Sequence, residues 1–384
     1  MEWKLKDLTV DGKGSYGIGA PAVPYQEDKL TYLRITDIND DGSLNFSDLK
    51  SVDAEDAEKY ILKENDIVFA RTGNSTGRSY FYEKQHGTFV YAGFLIKFSL
   101  DPNKVNPRIL KYYTHSKPYF DWVNSFDTGA TRGNINAKTY GDMEIELPSR
   151  KVQDKIVSIL SSLDQKIELN NKINADLEEM AQAIFKNWFV DFEPFKDGKF
   201  VDSELGMIPE GWKVGTLGEL CNFKRGKNLL TKNAINEGVP VVAGGLEPSC
   251  YHNVANTGAP VITVSGSGAN AGFMRMYHVP VWASDCSFID ISCENFYFVY
   301  CFLKVNSKLL KHAQTGAVQP HVKPSDIHDF ELVIPDKESI YEFQDKVKPF
   351  FDKIAAIQKE NSRLSLLRDT LLPRLMSGEL EVPE

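Results

Sequence analysis

Two short glycine-containing stretches carry the side chains in this sequence that are best suited to chemistry. The first runs from Arg71 to Arg78 and holds Thr72 and Asn74 between its arginines, and Tyr16 lies upstream of it. Arginine is the commonest bidentate reader of guanine and asparagine reads adenine in the same way, while tyrosine and threonine contact phosphates. Glycines let a backbone approach a ligand closely. The stretch fits a DNA-reading loop, and it equally fits a surface hairpin loop with solvated arginines.

The second stretch, residues 265–272, follows a predicted strand in the same way as the first. It supplies Ser267 and Asn270, and Arg225 and Lys227 stand upstream on either side of a glycine. We include these four residues among the candidate DNA contacts. Because small polar loops after strands are common in β proteins, the correspondence indicates a duplicated module more strongly than it indicates a site.

No arrangement of residues indicates catalysis. The seven histidines are scattered without the spacing of metal ligands or of a Cys/His or Ser/His motif. The five cysteines form no CxxC pair, so we expect reduced thiols. The first stretch lacks the GKS or GKT ending of a P-loop, and no S-adenosylmethionine loop or methyltransferase tetrapeptide is present. We therefore expect a non-catalytic protein without its own metal or cofactor.

Two long amphipathic segments must position these stretches. Apolar residues recur every three or four positions across residues 149–189 and again across residues 336–375. A helix of about 40 residues at ~1.5 Å per residue spans roughly 60 Å and can bury such a stripe only against a partner. We predict two long helices that pair with each other. Pro349 and Pro373 fall inside the second segment, so we expect that helix to kink or to start late.

The two segments are copies of one another. The chain from Thr128 to Trp188 aligns without a gap with the chain from Thr315 to Leu375, and Thr-Gly-Ala, Asn and Lys positions match as well as apolar ones. Periodicity alone would not produce matching polar residues, so we infer an internal duplication. Trp3-Lys4-Leu5 resembles Trp212-Lys213-Val214, and this match gives the second copy a similar beginning.

Short runs of β-forming residues, broken by Gly, Asn and Asp, indicate two β-rich modules. The predicted order is a first module at residues 1–148, a long helix at 149–193, a linker at 194–211, a second module at 212–335 and a second long helix at 336–378. One helix is predicted inside the first module, at residues 108–119. The predicted strands are residues 30–35, 66–70, 79–83, 89–98, 239–243, 261–264, 272–277 and 288–291. The fold class is α+β with an internal repeat of pseudo-twofold symmetry.

Composition limits the classes of function. The net charge of −9 argues against a protein that coats nucleic acid without sequence preference, because such binding depends on Lys and Arg neutralising phosphates. Any DNA contact must come from local patches. No apolar run reaches the ~20 residues needed to cross a bilayer, and the first residues lack signal-peptide character, so we expect a cytoplasmic protein.

The helical segments resemble a known family. The strings ELNNKIN at residues 168–174, MAQAIFKNWF at 180–189 and LLPRLMSGEL at 371–380 look like those of the specificity subunit of type I restriction–modification systems. The resemblance implies two target-recognition domains, each reading half of a bipartite DNA site, separated by two long conserved helices that form an antiparallel coiled coil. It implies double-stranded DNA, methyltransferase subunits and restriction subunits as partners. It also implies that S-adenosylmethionine, ATP and Mg act only in those partner subunits.

We expect the partner subunits to contact the outer sides of the two helices near their ends. Trp188 and Phe189 are adjacent, so a helix cannot place both on one narrow seam and one is left for another surface. The alternative is that these apolar residues only pack the helices together. A different class of function is a coiled-coil scaffold that carries two β-rich protein-binding modules. The candidate partner contacts are Met180, Phe185, Trp188, Phe189, Leu371 and Leu375.

Overall fold

The computed structural model describes residues 2–126, 133–314 and 320–382. It divides into two compact units, the first formed by Met1–Glu168 with Ser362–Glu384 and the second by Leu169–Asn361. Each unit contains one β-rich module and part of both long helices. The two Thr-Gly-Ala segments, residues 128–130 and 315–317, lie outside the described residues.

The first module combines short strands with short helices and leads into a long helix. Its strands are β1 (Glu2–Lys4), β2 (Ser15–Tyr16), β3 (Ala22–Pro24), β4 (Thr31–Leu33), β5 (Lys50–Val52), β6 (Asp66–Ala70), β7 (Ser79–Phe81), β8 (Phe89–Tyr91), β9 (Leu95–Ser99) and β10 (Glu144–Glu146). Its helices are α1 (Arg108–Tyr113), α2 (Lys117–Asn124) and α3 (Ala137–Gly141), and the long helix α4 spans Arg150–Phe189.

These strands form a two-stranded sheet, β1-β10, and two four-stranded sheets with the orders β2-β9-β6-β7 and β3-β5-β4-β8. The predicted helix at 108–119 is two helices, because Pro118 cannot donate a backbone hydrogen bond and so starts a new helix rather than extending α1. The predicted strand at 89–98 is likewise two strands, β8 and β9. The largest core of this unit packs module side chains against both long helices, and its helical members include Ile156, Leu160, Leu372 and Leu375.

The second unit repeats this plan. Its strands are β11 (Phe200–Ser203), β12 (Gly206–Pro209), β13 (Lys213–Thr216), β14 (Lys224–Arg225), β15 (Val239–Val242), β16 (Cys250–His252), β17 (Val261–Ser265), β18 (Met274–Tyr277), β19 (Trp282–Ala283), β20 (Cys286–Asp290) and β21 (Glu331–Ile334). Its helices are α5 (Phe296–Val305), α6 (Ser307–His312) and α7 (Pro324–His328), and the long helix α8 spans Lys337–Met376.

Two sheets of the second unit match sheets of the first in strand order, and in the part of the chain that the structure describes the sheet β16-β15-β19 has one strand fewer than its counterpart β3-β5-β4-β8. The sheet β14-β20-β17-β18 corresponds to β2-β9-β6-β7, and the parallel pair β15-β19 corresponds to β4-β8. Residues 194–211 were predicted to be a linker, but they contain the antiparallel hairpin β11-β12. Sequence analysis missed α5, because eight consecutive residues of this helix, Phe296–Leu303, are buried and apolar all round, which leaves no amphipathic period.

The long helices run antiparallel within each unit. In the second unit the buried Asn170 of α4 donates to Glu360 and Asn361 of α8, both at 2.8 Å, and further along Phe185 packs on Phe343. A buried polar residue in a helix pair fixes its register. The expectation that α8 would start late is wrong, since α8 is continuous through both prolines and is 40 residues long, as is α4. No helix in the described part of the chain is long and apolar enough to cross a bilayer.

The beginnings of the two modules correspond differently from the sequence match. Leu5 N–H donates to the Met143 carbonyl at 3.0 Å, and Leu217 N–H donates to the Phe330 carbonyl at 2.9 Å. Met143 and Phe330 occupy the same place in the gap-free alignment, so Leu5 is equivalent to Leu217. The match between the two Trp-Lys strings is therefore off by three positions. The β-sheet pairing, and not the tryptophan, defines the equivalent start.

Candidate nucleic-acid interface

The first glycine-containing stretch is the loop of a β-hairpin. Strands β6 and β7 pair antiparallel with Phe69 opposite Ser79, which places residues 71–78 at their connection. Gly73 and Gly77 have positive φ angles of 74° and 89°, a backbone conformation that favours glycine. Gly77 N–H donates to the Ala70 carbonyl at 3.0 Å and closes the loop. The hairpin geometry proposed for this stretch is present.

The second stretch has the same backbone. Gly268 and Gly272 have φ angles of 81° and 79°, and Gly272 N–H donates to the Ser265 carbonyl at 2.9 Å. Gly266 N–H donates to the Asp285 carbonyl as Arg71 N–H donates to the Phe94 carbonyl, both at 3.0 Å. The two loops are therefore equivalent residue by residue, and Thr72 corresponds to Ser267.

A strand beside each loop is equivalent as well. Tyr16 of β2 lies opposite Ile96, and Arg225 of β14 lies opposite Ser287 in the matching sheet. The glycine that follows each of them, Gly17 or Gly226, lies so close to neighbouring backbone carbonyls that an added Cβ would overlap them. Sheet register thus makes Tyr16 and Arg225 equivalent positions.

In the first unit the loop and this strand meet through their side chains. The Arg71 guanidinium lies over the Tyr16 ring at 5.0 Å from its centroid, a distance at which a cation is attracted to the face of the ring. The Tyr16 hydroxyl accepts a hydrogen bond from Ala137 N–H at 3.1 Å, and the Tyr16 side chain is 43% exposed. Thr72 is partly exposed and Asn74 is exposed. Four of the predicted contacts therefore share one surface.

Arg78 faces a different group of residues. Its Nε lies 2.6 Å from the Asp40 carboxylate, and its Nη1 donates to the Ile38 carbonyl at 3.0 Å. These bonds hold the side chain to a neighbouring loop of the same module. Neither arginine is free in solvent, so this part of the surface-loop interpretation is wrong. Arg78 is bound to Asp40 and Ile38, whereas Arg71 lies over Tyr16.

In the second unit the Asp285 carboxylate contacts two of the predicted residues, Arg225 and Ser267. The carboxylate pairs with the Arg225 guanidinium and accepts a hydrogen bond from the Ser267 hydroxyl. Asn270 makes a long hydrogen bond, 3.4 Å, to the Gly244 carbonyl. Lys227 is exposed, and its backbone carbonyl accepts a hydrogen bond from the Trp282 indole at 2.8 Å. Arg225, Ser267 and Asp285 form one polar cluster beside the loop.

Two buried tyrosines donate hydrogen bonds to backbone carbonyls at the two ends of the first loop. Tyr119 donates to the Gly77 carbonyl at 2.6 Å and Tyr140 donates to the Ala70 carbonyl at 2.9 Å. Burial raises the pKa of both hydroxyls above the usual value, so both keep the protons that they donate. Sequence analysis missed these residues and Asp285, because their partners are distant in the chain and backbone carbonyls leave no sequence signal.

The predicted partner contacts divide by burial. Phe185, Phe189 and Leu375 are at most 7% exposed and lie in the cores of their own units, so the prediction that they contact partner subunits is wrong. These three side chains belong to the apolar stripe through which the long helices pack on each other and on the modules. Leu371 is partly buried against the same core as Leu375.

One of the two side chains Trp188 and Phe189 was expected to face a second surface. Both instead pack on Phe343, because its large ring contacts two neighbouring positions of α4. Trp188 also contacts Phe195, and Lys346 lies over its ring at 5.6 Å. Met180 differs from all of these, because it is 49% exposed on α4. Met180 is the predicted contact with the most accessible side chain.

One group among the described residues has the spacing of metal ligands. Atoms of Glu83, His86 and Glu168 lie within 4.8 Å of one another. Arg108 and Lys111, however, lie 3.1 Å and 3.2 Å from the Glu83 carboxylate and already neutralise it. The group is better explained as a polar contact between the first module and α4.

Comparison with known proteins agrees with this duplicated architecture. Residues 15–179 and 209–365 match the model of the type I restriction modification DNA specificity domain, so each match includes one of the two loops. The chain is 32% identical over 299 residues to the type I restriction enzyme MjaIX specificity subunit of Methanocaldococcus jannaschii, covering 72% of this chain and 69% of that protein. It is 26% identical over 413 residues to the HindI specificity subunit of Haemophilus influenzae, covering 84% and 88%.

A solved structure shares the fold. The crystal structure of the type I restriction–modification S subunit from M. genitalium superposes with a TM-score of 0.57 at 19% identity, covering 98% of this chain and 96% of that one. The chain belongs to the type I restriction–modification DNA specificity family.

Proposed function

We propose that this chain is the DNA-recognition subunit of a type I restriction–modification complex, in which each module reads one half of a bipartite target in double-stranded DNA. The observation that carries the proposal is the repetition of one loop, with matching glycines and hydrogen bonds, in two modules whose loop side chains differ. Equivalent backbones with different side chains are what reading two different half-sites requires, since base edges are distinguished by side-chain donors and acceptors.

The proposal assigns the chemistry to other subunits. Burial raises the pKa of the Cys221 and Cys301 thiols above the usual value and that of Cys286 to about 12, so these thiols stay protonated and are poor nucleophiles at neutral pH. We infer that S-adenosylmethionine binds methyltransferase subunits, and that ATP and Mg²⁺ bind restriction subunits. This chain contributes target selection and a docking surface for both.

The second candidate is a scaffold whose two modules bind proteins instead of DNA. The net charge of −9 favours it, because DNA-binding surfaces are usually basic. Family membership and the location of an arginine beside each loop favour DNA recognition. A scaffold would assemble with its partners but would leave their sequence preference unchanged, and this difference separates the two functions.

The test is methylation by the reconstituted complex. The chain is purified alone and together with the methyltransferase subunits of its own system. Each preparation is incubated with S-adenosylmethionine and unmethylated genomic DNA, and N6-methyladenine is mapped by long-read sequencing. We expect methylation only from the complex, and only within one bipartite motif. Methyl transfer by the chain alone at an enzymatic rate, or methylation by the complex without a bipartite motif, would contradict the proposal.

A further inference from the structure

We propose that one arginine in each module reads a base of its half-site, Arg71 in the first module and Arg225 in the second, and that the two arginines reach equivalent places from opposite directions. The inference rests on the proposed DNA-recognition function and goes further by naming the specificity-determining residues. It follows from a comparison of two pairs of equivalent positions. The strand position holds Tyr16 in the first module and Arg225 in the second, and the loop position holds Arg71 in the first and Gly266 in the second.

In the first module the loop provides the arginine and the strand provides a platform. Arg71 extends from the loop over the ring of Tyr16 on β2, 5.0 Å from its centroid. In the second module the roles are reversed, because Arg225 on β14 extends toward the loop and ends over Gly266. An added Cβ at Gly266 would overlap Arg225 Nη1. The glycine therefore makes room for a guanidinium that arrives from the strand.

The first residue of a neighbouring short helix, α3 in the first module and α7 in the second, also differs between the two modules. In the first module Ala137 begins α3, and its N–H donates to the Tyr16 hydroxyl. The equivalent residue in the second module is Pro324, which begins α7 and has no N–H to donate. Because Pro324 has no N–H, the change from a tyrosine hydroxyl to an arginine at the equivalent strand position leaves no backbone donor without its acceptor. Three matched differences thus maintain one guanidinium beside each loop.

Each guanidinium is also held in place within its module. The Arg71 guanidinium packs on the ring of Tyr16, and its Nε is buried, although that atom has no hydrogen-bond acceptor among the described residues. Arg225 donates from Nη2 to the Asp285 carboxylate. The residue equivalent to Asp285 in the first module is Phe94, which is 59% exposed. A guanidinium fixed in this way loses little conformational entropy on binding, so it suits base recognition better than a mobile phosphate contact does.

The base that suits a fixed guanidinium is guanine. Arginine donates two parallel hydrogen bonds to O6 and N7 of guanine in the major groove, and this is the commonest specific contact between proteins and DNA. The proposal therefore requires at least one G·C pair in each half of the methylated motif. A motif in which either half contains only A·T pairs at its specified positions would overturn it.

The experiment uses the complex of the full chain with its methyltransferase subunits, in which each half-site controls for the other. Arg71→Ala should reduce discrimination at one G·C pair of one half-site by roughly tenfold to hundredfold, and Arg225→Ala should do the same only in the other half-site. Binding is measured by fluorescence anisotropy at one fixed salt concentration, with duplexes in which each specified pair is changed in turn. Arg78→Ala is the matched control, because it removes an arginine from the same loop and should change neither half-site.

A grafted variant separates a role in reading from a role in folding. The triple substitution Tyr16→Arg, Arg71→Gly and Ala137→Pro gives the first module the arrangement of the second. Adding Phe94→Asp supplies the carboxylate that holds the arginine. We expect the four-residue variant to regain discrimination at the G·C pair that Arg71→Gly alone loses. No recovery in a complex that still reads the second half-site would overturn the equivalence of the two arrangements.

The remaining outcomes distinguish this inference from the proposed function. If the wild-type complex reads no bipartite motif, the proposed function is wrong. If the wild type reads such a motif while Arg71→Ala and Arg225→Ala leave it unchanged, or both alter the same half, the function stands and this inference is wrong. An equal loss of affinity for all sequences would assign the arginines to phosphates and would also overturn the inference.

Discussion

The Asp164 carboxylate of α4 and the Arg368 guanidinium of α8 lie 3.2 Å apart within the first unit. Lys111 Nζ of α1 lies 3.1 Å from the same carboxylate, and the Tyr112 hydroxyl donates to it at 3.0 Å. Burial opposes ionisation of Asp164, but the charges and hydrogen bonds of Lys111 and Arg368 outweigh it and hold the pKa of Asp164 below its usual range. One carboxylate thus joins a helix of the module to both long helices.

Asp164→Ala should therefore destabilise the first unit. The substitution leaves two partly buried cations without their shared anion, and we expect it to lower the free energy of unfolding by about 2–3 kcal/mol in urea titrations. Asp352→Ala is the matched control, because Asp352 pairs with Lys348 on the exposed side of α8 and its loss should change stability little. Equal effects of the two substitutions would show that the buried pair has no special role.

Tyr119→Phe should loosen the first loop without disturbing the second. It leaves the Gly77 carbonyl without its buried donor, which should cost about 1–3 kcal/mol of stability. In the assembled complex, we expect weaker discrimination in the half-site that Arg71 reads and no change in the other, measured with the same duplexes. Unchanged discrimination at both half-sites, in a protein destabilised to the expected extent, would limit Tyr119 to a structural role.

Met180→Glu should weaken assembly while leaving the fold intact. Met180 is 49% exposed on α4, so a charge there does not enter the core but would be costly in an apolar interface. We expect reduced recovery of methyltransferase subunits on the tagged chain, with an unchanged melting temperature. Phe185→Ala is the contrasting variant, since Phe185 is 2% exposed and its truncation should cost about 3–5 kcal/mol of stability. Normal assembly of Met180→Glu would exclude this part of α4 as the docking surface.

Stability should decrease as the pH falls from 7.5 to 5.5. Burial lowers the pKa of His115 and of His278 below the usual value, so the folded protein keeps both rings neutral at a pH where the unfolded chain binds protons. The stabilisation is fully present above the unfolded pKa and is lost as the pH falls toward the folded pKa. Urea midpoints at the two pH values measure this loss, which should shrink in His115→Gln. A loss of the same size in that variant would exclude His115 as a source.

The sequence was most informative where a pattern is periodic or repeated. The 3.6-residue period predicted both long helices, and the matching Asn and Lys residues indicated the duplication. The strand at Asp66–Ala70 was predicted with its observed bounds, because five buried residues are bordered by turn-forming residues. In these cases local propensity and burial favour the same structure.

Prediction failed where partners are distant in the chain. Phe185 and Phe189 have the same residue types as interface anchors, and only the packed α5 shows that they belong to a core. Likewise, the residues near Arg225 in the sequence do not indicate that Asp285 is its partner, because only the pairing of β14 with β20 brings the two side chains together. A pattern of residue types identifies what a side chain can bind, whereas the tertiary fold decides which partner it meets.

The loops that border β6 and β17 are closed by backbone hydrogen bonds and by glycines with positive φ. Neither device depends on the side chains at the intervening exposed positions, such as Asn74 and Ala269. Substitution at these positions therefore carries little penalty in folding free energy. New target specificities can arise in either module one residue at a time, each step leaving a folded protein that still recognises the other half of its target.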